Sequence, residues 1–176
     1  HLHYEVRRTA DQHALDPQAF GVHVPDNVPP TIYGIRIDAL DTLARTSPLP
    51  AGAHGFNTTA TTDSTFALKP GTKVSAFGTV GISVNAIDRY TNSPNICGIR
   101  ALSVAVDGKS VCEIKLDEVD FGVQRYCNAY MDYRLFKGGK MHYNRCYKLP
   151  NNRLMLYTPE TAPGRIVLEP GKDHAI

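Results

Sequence analysis

Short runs of β-branched and alternating apolar residues, separated by clusters of Gly, Pro, Asn, Asp and Ser, predict strands along most of this chain. The first run is His1-Leu2-His3-Tyr4-Glu5-Val6-Arg7-Arg8. In an extended strand His1, His3 and Glu5 share one face, while Leu2, Tyr4 and Val6 share the other. Residues 9–13 read as a polar turn, and Ala14-Leu15-Asp16-Pro17-Gln18-Ala19-Phe20-Gly21 as a short apolar closing segment. Pro25, Pro29 and Pro30 then forbid a helix and predict a stiff, extended connector over 24–30. A domain boundary belongs there, dividing residues 1–23 from residues 31–176.

Beyond the connector, Thr31-Ile32-Tyr33-Gly34-Ile35-Arg36-Ile37 reads as a strand. Residues 46–65 are small, polar and turn-forming and predict a long loop or a ragged insertion. Residues 73–85 alternate in a broken way around Gly78 and Gly81, which predicts a strand with a bulge or a close backbone approach. The clearest signal is a hairpin, in which Asp107-Gly108 separates the alternating runs 102–106 and 109–114 and predicts a type I′ turn. Val123, Tyr126, Cys127, Tyr130 and Tyr133 or Arg134 fall at helical spacing and predict one short helix ended by Gly138-Gly139. Residues 153–157 and 165–168 read as strands, and 172–176 as the start of another. The expected class is all-β: the truncated end of one sheet, then an immunoglobulin-like β-sandwich with one short helix, itself truncated at its C-terminus.

With 176 residues, the chain has room for one ordinary domain and a piece of another. Its 42% apolar and 20% charged composition is that of a globular protein. A net charge of +2, with Lys and Arg scattered along the sequence, predicts no nucleic-acid partner. No apolar run approaches the ~20 residues of a membrane span. Cys97, Cys112, Cys127 and Cys146 form no CxxC pair, which argues against a structural zinc cluster. Two disulfides in any of three pairings, and four separate buried thiols, both remain open.

Candidate chemistry sits at the start. Two imidazoles about 7 Å apart on one strand face suit a metal site at a sheet surface. Catalytic zinc has three protein ligands and an open position, where it makes hydroxide available near neutral pH. The run His1-Leu2-His3-Tyr4-Glu5-Val6-Arg7, with Asp16-Pro17 and Phe20-Gly21 shortly after, closely resembles the C-terminal end of the catalytic domain in lysostaphin/LytM-type zinc endopeptidases. That resemblance implies that His3 is a zinc ligand. It implies that His1 is the catalytic histidine, orienting water or stabilising the oxyanion on the scissile carbonyl. It further implies peptidoglycan peptides as partners and a periplasmic or otherwise extracytoplasmic location in a bacterial envelope. Pro29-Pro30, Val106-Asp107-Gly108-Lys109, Arg125-Tyr126, Met131-Asp132-Tyr133 and Leu149-Pro150-Asn151-Asn152, with Leu154 and Tyr157, resemble the β-rich region that follows the peptidase in a group of cell-envelope members.

The family's other two zinc ligands come from an upstream His-x-x-x-Asp motif, which this chain lacks. His13 with Asp16, and His23 with Asp26, have the wrong spacing and lie downstream. The expectation is therefore a piece of a longer zinc enzyme, inactive alone. The other reading is a non-enzymatic envelope module for adhesion, assembly or glycan binding; it accounts for residues 31–176 but leaves residues 1–21 without explanation. Glu5 is expected to act behind the metal ligands or to face solvent. The tyrosines at 126, 130, 133, 143, 147 and 157 are expected to bury their rings in the sandwich. Asn57-Thr58-Thr59 matches a glycosylation sequon without weight in a bacterial setting, and Arg145 and Lys148 are expected on an ordinary solvated face. His54, His142 and His174 have no partners at ligand spacing and read as structural.

Overall fold

A computed structural model describes residues 4–46, 55–159, 161 and 163–176. The chain is mainly β. In order the strands are β1 (Val6–Arg7), β2 (Ala14–Leu15), β3 (Thr31–Ala39), β4 (Arg45–Thr46), β5 (Phe56–Ala60), β6 (Phe66–Leu68) and β7 (Ala76–Ile87). There follow β8 (Ala101–Val106), β9 (Lys109–Lys115) and β10 (Glu118–Val119), and then two short helices, α1 (Cys127–Tyr130) and α2 (Tyr133–Gly139). Strands β11 (Tyr143–Arg145), β12 (Tyr157–Thr158) and β13 (Ile166–Leu168) complete the fold.

Strand β7 is the hub, pairing antiparallel with β3, β4, β11 and β13. Opposed residues on neighbouring strands point to the same face. The pairs Ile35↔Val84, Ile37↔Ile82 and Ile166↔Val80 therefore make one face continuously apolar. That face shares a single core with Val104, Val106, Cys112 and Ile114 of the β8–β9 hairpin and with Leu154, Leu156 and Tyr157. Two sheets closing on one core give a sandwich-like arrangement. Val80, Ile82, Ile114 and Leu154 are almost fully buried, each worth roughly 1.5–3 kcal/mol relative to exposure.

The opposite face of β7 is polar, since Arg36 and Arg145 both stand opposite Ser83, and Asp38 stands opposite Gly81. Asp132, from the start of α2, accepts from both guanidinium groups through Oδ2, at 2.9 Å from Arg36 and 2.8 Å from Arg145. Asp38 lies 2.6 Å from Arg36 Nε and accepts hydrogen bonds from Ser83 Oγ at 2.6 Å and Tyr147 Oη at 3.0 Å. Burial alone would raise the Asp132 carboxyl. The hydrogen bond from Arg36, the charge of Arg145 and the Leu135 N–H outweigh it and hold the group below its ordinary range. Gly81 makes this face possible, because a Cβ there would fall 2.4 Å from the Tyr147 ring.

The expected hairpin is present, with Asp107 and Gly108 at φ of 52° and 76°, as a type I′ turn requires. Other expectations are corrected. The single helix expected over 124–136 is a 3-10 turn (Gln124–Tyr126) running into α1, then a break, then α2. Met131 is extended and bridges to Asn144, and Asp132 caps α2 by accepting from Leu135 N, so the ion network and the cap together interrupt the helix. Within the stretch expected as loop, β5 pairs with β3 and β6. Of the two alternatives expected around Gly78 and Gly81, the close approach is present, with the Ala44 backbone and the Tyr147 ring, and a register shift lies on β3 between Ile32 and Gly34. Residues 153–156 form no strand, and pairing with β9 begins only at Tyr157. Residues 172–176 form no strand either; His174 and Ala175 bind the Asp107 carboxylate at the hairpin turn.

Asp132→Asn is expected to cost about 3–5 kcal/mol, because it leaves two partly buried guanidinium groups facing an uncharged side chain. Urea unfolding measures it, and a midpoint close to the parent's would show that the network contributes little.

Candidate functional site

His1 and His3 lie outside the described residues. Immediately after them, Glu5 pairs with Arg7 at 2.7 Å, and the Arg7 guanidinium rests 4.6 Å from the centre of the Phe121 ring. Strand β1 then pairs with β2 through Val6↔Leu15 and Arg7↔Ala14. Strand β2 pairs in turn with β10, which belongs to the later part of the chain, through Leu15↔Glu118 and Ala14↔Val119. The pairing runs one residue further, where Asp16 N donates to Asp117 O at 2.9 Å. Arg100 clamps the same point, with Nε 2.8 Å from Asp16 and Nη2 2.9 Å from Asp117. The strand that follows the two histidines is thus the outer member of a three-stranded sheet completed by β10.

Beside this junction, Asp11, His13 and Glu118 place one ligand atom each within 4.8 Å of one another, the one such group among the described residues. The Arg8 guanidinium already bonds both carboxylates, reaching Asp11 at 2.8 Å and also contacting Glu118. His13 Nδ1 contacts Glu118, and Nε2 faces Asp120 at 3.9 Å. A cation is therefore in place, covalently part of the chain, and a divalent ion would have to displace it. The arrangement is a charge-matched clasp between the turn after β1 and β10. Neither His-x-x-Asp pair offers more. Asp16 caps the 3-10 turn (Pro17–Phe20) by accepting from Gln18 N and is held by Arg100, and Asp26 accepts from Val28 N and Thr91.

The remaining sequence candidates are placed as follows. Arg145, expected on a solvated face, is taken up by Asp132 and the carbonyls of Ala129 and Met131. Lys148 is half-buried, with its amine over the Tyr157 ring. Tyr130, Tyr143, Tyr147 and Tyr157 are buried, Tyr126 is half-buried, and Tyr133, expected in the core, is exposed. All four cysteines are free thiols, and burial pushes Cys112 and Cys146 up to about 12, where they are inert. His174 pairs with Asp107, His54 lies outside the described residues, and His142 lines an open groove beside Lys137 and Lys140. The sequence signal for that groove is Phe136-Lys137-Gly138-Gly139-Lys140-Met141-His142, in which cations alternate with apolar side chains. No helix among the described residues is long and apolar enough to cross a membrane. No protein-family model, no curated protein and no solved structure matches this chain.

The clasp carries a pH signature. Its hydrogen bond to Glu118 raises the His13 imidazole above its ordinary 6.5. The stabilisation from that contact is complete below pH 6.5 and disappears as pH rises through the raised value. Glu118, lowered below 4.5 first by His13 and then by Arg8, contributes fully above pH 4.5 and less as pH falls through its lowered value. The His13 ring resonances are expected to titrate above 6.5, and Glu118→Gln to lower that midpoint. An unmoved midpoint in the Gln variant would dismiss the contact.

Proposed function

We propose that this chain is the C-terminal part of a zinc-dependent endopeptidase of the lysostaphin/LytM type, which hydrolyses peptide cross-links of bacterial peptidoglycan outside the cytoplasm. In this reading His3 supplies one zinc ligand and His1 is the catalytic histidine beside it. Residues 31–176 are then an accessory, immunoglobulin-like region at the wall. The observation that carries the proposal is the run His1-Leu2-His3-Tyr4-Glu5-Val6-Arg7, leading directly into β1. A strand held by β2 and β10 is a rigid support, of the kind a ligand strand needs.

The residues present do not by themselves fit zinc. One imidazole falls short of the three protein ligands of a catalytic centre, and the Asp11–His13–Glu118 group is filled by Arg8. The chain alone is expected to be inactive, its part being to close a metal site whose other ligands lie on an upstream His-x-x-x-Asp.

The test uses the extended parent protein, assayed for bound zinc and for muropeptide hydrolysis. His3→Ala is expected to take zinc from about one ion per chain to near zero and to abolish hydrolysis with it. His1→Ala is expected to keep the metal while slowing turnover by about 10²–10⁴-fold. Zinc retained with full activity in the His3 variant would remove this strand from the metal centre.

A further inference from the structure

We propose that the groove between the end of β7 and the end of α2 binds a short acidic peptide with aliphatic side chains. The groove encloses about 670 Å³, within the range of clefts that hold drug-sized ligands. Ile87, Ile96, Phe136 and Met141 give it an apolar lining, and Ile96 is 52% exposed with nothing among the described residues covering it. Such a surface favours methyl and methylene groups.

Charge narrows the ligand further. Arg89, Lys137 and Lys140 line the groove, no Asp or Glu does, and none of the three cations has an ion pair among the described residues. Asn85 accepts from His142 N at 3.0 Å through Oδ1, and its Nδ2 has no hydrogen bond among the described residues, leaving a donor for an incoming carbonyl or carboxylate. Separated cations around an apolar lining match carboxylates spaced along a peptide. A dense polyphosphate would leave that apolar lining unused. The groove is argued without any residue of the proposed zinc site, so its ligand binding stands or falls separately from zinc hydrolysis.

The experiment titrates acetyl-Ala-Glu-Ala-Glu into the 176-residue chain by calorimetry and by amide chemical shifts. The amidated acetyl-Ala-Gln-Ala-Gln peptide and tripolyphosphate are run as separate arms. The acidic peptide is expected to shift Ile87, Ile96 and Phe136, with the neutral peptide at least about tenfold weaker and binding weakened by added salt. Lys137→Glu combined with Lys140→Glu, both at exposed positions, is expected to lose at least about tenfold in affinity while the amide shifts away from the groove stay those of the parent fold. Arg89→Ala is expected to weaken binding in the same direction. Absence of binding at millimolar peptide, equal binding of the neutral peptide, undiminished binding by the charge-reversed variant, or tighter binding of tripolyphosphate would each overturn the proposal.

Discussion

One carboxylate oxygen, Oδ2 of Asp132, sits between the guanidinium groups of Arg36 and Arg145, and much of the architecture answers to it. Arg36 comes from β3, Arg145 from β11, and Asp132 from the start of α2, so the contact ties both flanks of β7 to the helical segment. Taking four charged side chains largely out of water is costly unless each finds its counterpart. Asp38, Ser83 and Tyr147 complete the pairing on the same face. The break between α1 and α2 follows, because Asp132 must cap the second helix and also reach the sheet. Apolar packing on one face of β7 supplies the bulk of the burial; the ionic face fixes which segment lies across it.

Two sets of charged groups on this protein are organised differently. In the polar face of the main sheet and in the clasp around Glu118, every cation has an anion within bonding distance, and the result is structural. In the groove beside α2, cations gather without anions. What sets these three cations apart is that they surround an apolar lining, where a ligand supplying the opposite sign would meet both charge and hydrophobic surface.

Local chemistry made parts of the fold legible in advance. Asp107-Gly108 between alternating runs specifies its turn almost alone, and Gly81 announced a close approach because no other residue admits the Tyr147 ring. The all-β class followed from the density of short apolar runs. Long-range pairings were not legible. Arg36 meets Asp132 across 96 positions and Arg8 meets Glu118 across 110, and no sequence period connects them. Without those partners, Arg145 reads as a solvated cation, 124–136 reads as one helix, and Asp11, His13 and Glu118 do not read as a group. Strand β5 was hidden for a related reason: its Asn and Thr residues are typical of loops, and only pairing with β3 and β6 makes them a strand.

The proline-containing stretch over 24–30 has a mechanical consequence. Before it, Gln18 donates to Tyr90 and Arg100 holds Asp16; within it, Asp26 and Asn27 bind Thr91; after it, β3 begins. A segment pinned at both ends and at its middle acts as a strap and not as a swivel. Whatever direction β1 takes is set by β10 on the far side of the sheet, so a pull applied at Val6 is borne by the body of the β-fold.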